Sequence, residues 1–219
     1  MLRVVVLISG AGSNLRALLE AIDASASDPE PIRAEVVAIG ADTTAEGLGL
    51  AAEHGADSFI VDPRAYPDRA SWGDALLEEI QRYSPDLVVL SGFMRLLPPR
   101  VVRALSPALV NTHPAYLPEF PGAHAVRDAL QAGVTETGAS IIVVDDGVDT
   151  GPIIARERVA IEPGDDEARL HERIKQVERR ILIETVRDVA NGSLDLGAVP
   201  PSPARTESMH PDTEPKERP

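Results

Sequence analysis

Five short runs of apolar, largely β-branched residues, separated by stretches of helical periodicity, most constrain how this chain can fold. The runs cover residues 2–9, 34–39, 58–61, 86–90 and 108–111. Each is apolar at nearly every position, the pattern of a strand buried on both faces of a parallel sheet. Between them lie helix-like stretches at 14–26, 45–54, 70–83 and 100–105. This βαβ alternation predicts an α/β fold, a mostly parallel twisted sheet flanked by helices.

The texture changes after residue 111. Residues 112–122 (THPAYLPEFPG) are too rich in proline for a regular element. A short helix is expected at 125–133, then two strands at 137–144 and 151–160 around the turn Asp145-Asp146-Gly147. A long amphipathic helix follows at 165–191, opened by acidic capping residues and stopped by Asn191-Gly192. Residues 1–192 therefore read as one catalytic domain, with halves of about 1–100 and 101–192. Residues 193–219 are expected to form a disordered tail, Pro-rich and aperiodic from 198 onward. Deleting 198–219 is expected to leave activity and melting temperature almost unchanged.

Composition removes whole classes of chemistry. With no cysteine, the chain has no disulfide, no thiolate nucleophile and no Cys-ligated metal site. Its formal net charge is −14 and its only lysines are Lys175 and Lys216. It lacks the basic footprint of a nucleic-acid binder. No apolar stretch approaches the ~18 residues of a membrane span. The first residues, MLRVVVLISGAGSN, read as a strand and not as a signal peptide, so a cytoplasmic location is expected.

Three segments carry candidate chemistry. The first, Ser9-Gly10-Ala11-Gly12-Ser13-Asn14, ends a strand and opens a helix. Glycines permit positive φ there, and a helix N-terminus offers free N–H groups and partial positive charge, together an anion site. No Gly-Lys-Ser/Thr follows, so it is not a P-loop. Leu15 stands where a dinucleotide fingerprint needs its third glycine. A tight turn closed by an Asn or Ser cap is the plainer alternative. The second segment is Asn111-Thr112-His113-Pro114, at the carboxyl end of a strand, where open α/β sheets bind ligands. Asn111 can donate to a developing oxyanion, and histidine titrates nearest neutrality. The third is Asp145-Asp146-Gly147-Val148-Asp149-Thr150-Gly151-Pro152. It is not an EF-hand, because strands flank it and Arg156 stands where the closing glutamate belongs. One aspartate is a turn residue and another can pair with His113; spacing does not say which.

Taken together and in order, these segments and Ser91-Gly92-Phe93-Met94-Arg95-Leu96-Leu97 resemble the phosphoribosylglycinamide formyltransferase family over about residues 2–190. The resemblance implies transfer of a formyl group from 10-formyltetrahydrofolate to the amine of phosphoribosylglycinamide in purine synthesis, with no metal. It implies small-molecule substrates and a monomer or homodimer. Gly12, Ser13 and Asn14 match the family's phosphate loop, with Lys175 and Glu178 assisting at the ribonucleotide. Arg69, Met94, Arg95, Leu96, Leu97, Asn111, Asp145, Asp146, Gly147 and Val148 match its folate-contacting positions. Asn111, His113 and Asp149 match its catalytic set. The chain departs from the family at Ile142 and Val126, where histidines are frequent; His124 reads as a loop histidine.

Other readings share parts of this pattern. A sugar-nucleotide formyltransferase would use Asn111, His113 and Asp149 but not the phosphate loop. A non-catalytic folate or nucleotide carrier and a dinucleotide-dependent oxidoreductase also remain open.

Overall fold

The computed structural model describes residues 1–202. It is built around a seven-stranded sheet of order β3-β2-β1-β4-β5-β6-β7. The strands are β1 (Leu2–Ile8), β2 (Ala34–Ala41), β3 (Asp57–Ile60), β4 (Leu87–Leu90), β5 (Leu109–His113), β6 (Glu136–Val143) and β7 (Ile153–Ala160). β1 to β5 are parallel, and β6 and β7 run antiparallel beyond them. The helices are α1 (Ser13–Ser25), α2 (Leu50–His54), α3 (Arg69–Arg82), α4 (Pro99–Leu105), α5 (Ala125–Ala132) and α6 (Glu167–Asn191).

The apolar runs are explained by two cores, one on each face of the sheet. Val4, Val6 and Ile8 of β1 join α1, α2, α5 and α6 in one core. Val5 and Leu7 join Trp72, Leu76 and Ile80 of α3 and Val101 and Val102 of α4 in the other. Because alternate side chains point to opposite faces, a strand covered on both sides must be apolar throughout.

Helix boundaries follow capping chemistry. The Asp68 carboxylate accepts from the Ser71 N–H at the start of α3, and Asp166 accepts from Arg169 N–H at the start of α6. Gly192 ends α6 in the left-handed region, with φ 78°. The helix expected over 45–54 is divided into a 3₁₀ turn at Glu46–Gly49 and α2.

Part of the tail expected from residue 193 is instead ordered within the described residues. Leu196–Ala198 form a 3₁₀ turn capped by Asp195, and Leu196 packs into the core beside α6. Two leucines, Leu194 and Leu196, in a polar context carry no periodic signal, yet the burial of Leu196 fixes the chain there. Residues 203–219 lie outside the described residues. Leu196→Ala is expected to lower unfolding free energy by about 2 kcal/mol, the low end for a buried leucine; urea denaturation measures it.

Candidate active site

Parallel strands bring their carboxyl ends to one edge of the sheet, and the loops leaving β1, β2, β4 and β5 meet there. A cavity of about 410 Å³ opens at this edge on the β4–β5 side. Phe93, Leu97, Val102, Ile142 and Val144 give it apolar walls, and Asn111, His113 and Asp149 are among its polar lining.

Asp149 joins the polar groups. Its Oδ1 lies 3.4 Å from Asn111 Nδ2, and its Oδ2 lies 3.4 Å from His113 Nδ1. Oδ2 also accepts from the Gly122 N–H at 2.8 Å. The other ring nitrogen of His113, Nε2, lies 2.9 Å from the Phe120 carbonyl oxygen. Both partners of this imidazole are oxygen acceptors, one at each ring nitrogen. His113 is 4% exposed, which keeps water from competing for those contacts.

The loop that carries Asp149 is shaped by its own residues. Asp145 is the turn residue: its carboxylate accepts from the Gly147 N–H and the Thr150 hydroxyl. Gly151 is required by close approach, since a Cβ there would overlap the Val143 carbonyl oxygen. Asp149 itself holds a left-handed backbone, φ 52°. The ambiguity over which aspartate serves the histidine is thus settled by backbone geometry: Asp145 stays in the turn and Asp149 turns inward.

The segment after β4 is held at both ends. Arg69 Nε and Nη2 donate to the Leu96 carbonyl, and Nη2 also to that of Leu97. At the near end the Met94 N–H donates to Ser9 Oγ at 2.9 Å. Met94 and Leu96 remain exposed while Phe93 and Leu97 are buried. Arg69, Met94, Arg95, Leu96, Leu97, Asn111 and Asp145 through Asp149 all line the cavity.

Gly12, Ser13, Asn14, Lys175 and Glu178 are not among the cavity's lining residues. They form a second cluster where α1 meets α6. Gly12 precedes α1 with φ 70°, and no side chain caps the helix; its first turn holds no acidic residue. The cap expected of Asn or Ser is absent because Asn14 turns inward, its Nδ2 3.4 Å from Glu178 Oε2. Asn14 Oδ1 is buried without a hydrogen-bond partner. Lys175 instead pairs with Glu172 at 2.7 Å.

Burial pushes the Glu178 carboxyl above its ordinary value, opposed by the Asn14 hydrogen bond and the nearby Lys175 charge. The stability this group contributes is full below the ordinary carboxyl range and is lost as pH rises through the elevated folded value. Glu178→Gln is therefore expected to raise the melting temperature at neutral pH. The gain should vanish on acidification below about pH 4. Thermal melts of both proteins across pH measure it.

Residues that sequence reasoning did not single out also build the site. Asp42 joins Ser9 of the glycine-rich segment in anchoring the Met94–Leu97 segment, and Phe120 and Gly122 supply backbone partners to His113 and Asp149. A backbone carbonyl or N–H leaves no trace in residue type. Ile142 stands opposite Asn111 in the β5–β6 register and lines the cavity, so the wall is apolar at that point. Val126 is buried in the core on α5. Among the described residues no helix is long and apolar enough to cross a membrane, and no cluster of three or more His, Asp or Glu could hold a metal ion.

Comparison with known proteins agrees with this architecture. The formyl transferase family model matches residues 2–186. A phosphoribosylglycinamide formyltransferase of Mycobacterium tuberculosis is 46% identical over 188 residues, covering 86% of this chain and 85% of that one. The Escherichia coli protein of the same name is 36% identical over 196 residues, covering 89% and 90%. Among solved structures, glycinamide ribonucleotide transformylase 1 from Symbiobacterium toebii superposes with a TM-score of 0.83 at 40% identity, covering 89% of this chain and 90% of that one. With the sheet, the cavity and these matches in agreement, the chain belongs to the formyl transferase family.

Proposed function

We propose that the protein transfers the formyl group of 10-formyltetrahydrofolate to the amine of 5-phosphoribosylglycinamide. The observation that carries this reading is the convergence of Asn111, His113 and Asp149 at an apolar-walled cavity. Its volume of about 410 Å³ suits a small-molecule site of roughly 300–1,000 Å³. The apolar walls and the backbone groups of 94–97 fit a flat heteroaromatic donor. The uncapped start of α1, with its free N–H groups, suits the phosphate of the acceptor, and the unpartnered Asn14 Oδ1 can accept from a hydroxyl or amine of the same molecule.

The amine nitrogen attacks the formyl carbon, and a C–N bond forms as the carbonyl oxygen becomes an oxyanion. Asn111 Nδ2 donates to that oxygen, and the His113 imidazolium, whose two N–H groups face Phe120 and Asp149, stabilises it by its positive charge, fixed in place before the oxyanion develops. The attacking nitrogen gives up a proton, the donor nitrogen takes one, and the original C–N bond breaks. Asp149 holds His113 as a cation and, through a bound water, relays the proton between the two nitrogens. Atoms and charge balance, and nothing is oxidised or reduced.

The test is a formyl-transfer assay following folate absorbance, with 10-formyl-dideazafolate and phosphoribosylglycinamide. Change that requires the ribonucleotide is the expected result. Change without it indicates a hydrolase. Change only with an amino-sugar nucleotide indicates a different acceptor, and silence with binding intact indicates a carrier.

A further inference from the structure

Asp42 is a buried charge beside the cavity that this reaction leaves unused. It directly follows β2, at the ligand-facing edge of the sheet, and is 3% exposed. Both of its oxygens are engaged. Oδ1 accepts from the Ser9 hydroxyl at 2.7 Å, and Oδ2 accepts from Arg95 Nε at 2.7 Å. Through Ser9, which takes the Met94 N–H, the same carboxylate joins the loops that follow β1, β2 and β4. An acidic residue just past β2 in a dinucleotide fold would hold a ribose; here each oxygen is engaged by Ser9 or Arg95 and the residue is buried.

Arg95 lines the cavity and its side chain stays 51% exposed. Among the described residues no hydrogen bond engages its Nη1 or Nη2. A guanidinium is a rigid planar fork, so fixing Nε fixes where the two terminal nitrogens point. That remaining edge matches a carboxylate in bidentate geometry. We propose that Asp42 is a positioning residue, which orients Arg95 so that its terminal nitrogens receive a carboxylate on the tail of the folate donor at the cavity mouth. The inference rests on the folate reading above. It assigns to Asp42 the part of donor affinity that comes from the tail, and none from the ring.

Two probes separate these contributions: 10-formyl-5,8-dideazafolate, and the same molecule truncated to its benzamide so that no carboxylate remains. The wild-type protein should bind the full probe at least about tenfold more tightly, on the scale of one charge-assisted hydrogen bond. Asp42→Ala should weaken the full probe about five- to tenfold and leave the truncated probe within about twofold. At saturating donor its kcat should stay within about twofold, while KM for the donor rises. In an Arg95→Ala background, Asp42→Ala should have no further effect on either probe. Asp42→Asn, nearly isosteric, should show the same selective loss and guards against collapse of the loop. Equal weakening of both probes by Asp42→Asn, or an unchanged preference for the full probe, would overturn the inference while leaving the folate reading intact. Failure of the wild-type protein to bind either probe would overturn both.

Discussion

Replacing His113 by alanine lowers kcat for formyl transfer by at least about a hundredfold, the scale of a group that donates or moves a proton in the transition state. The ring is enclosed between two acceptors, the Phe120 carbonyl and Asp149, and its removal leaves both without their donor. It also leaves the Asp149 carboxylate, whose side chain is only 13% exposed, with no cation within 4 Å among the described residues. Because the imidazolium acts on charge that develops only during reaction, KM for either substrate should change little. Steady-state kinetics on a variant with a native-like melting curve measures this. Turnover within a few-fold of wild type would remove His113 from the mechanism.

Asp149→Ala is expected to be the more damaging change, by about a thousandfold in kcat, within the range for loss of a group serving proton transfer. One carboxylate touches Asn111, His113 and the Gly122 N–H, so its loss unties the amide, the ring and the loop that carries Phe120 together. Asp149→Asn separates charge from geometry. An amide can still accept from Gly122 and can adopt the left-handed backbone, but it cannot hold an imidazolium. It should therefore keep the wild-type melting temperature while losing most of the activity. If Asp149→Asn were as active as wild type, the carboxylate's charge would play no part and the relay would have to be abandoned.

Much of the fold was legible because burial on both faces leaves a simple trace. The apolar stretches within β1 and β4 arise because Val4 and Val5, or Val88 and Val89, feed opposite cores. β7 was harder, since its exposed Arg156, Glu157 and Arg158 give it only a weak apolar pattern at the edge of the sheet. The candidate site was legible where side-chain type carries the chemistry, as at Asn111 and His113. It was not legible where chemistry depends on a distant partner. Asp42 reads as an ordinary polar residue after a strand until Arg95, far along the chain, is folded against it. The direct bond between Asn14 and Glu178 has no local trace, because α6 lies far along the chain from the glycine loop. Leu196 reads as one leucine in a tail until the core beside α6 closes over it.

The backbone torsion at Asp149, φ 52°, has a consequence for how this position drifts under selection. A non-glycine residue held there carries on the order of 1 kcal/mol of local strain, which glycine would relieve. Selection for persistence at high temperature and selection for turnover therefore pull in opposite directions at a single codon. Relaxing the torsion to glycine discards the carboxylate that the chemistry uses. Lineages screened only for heat resistance would sample the silent glycine form, and growth that depends on the product would remove it. The strained aspartate is thus kept by what the loop does, against the direction in which its own backbone would relax.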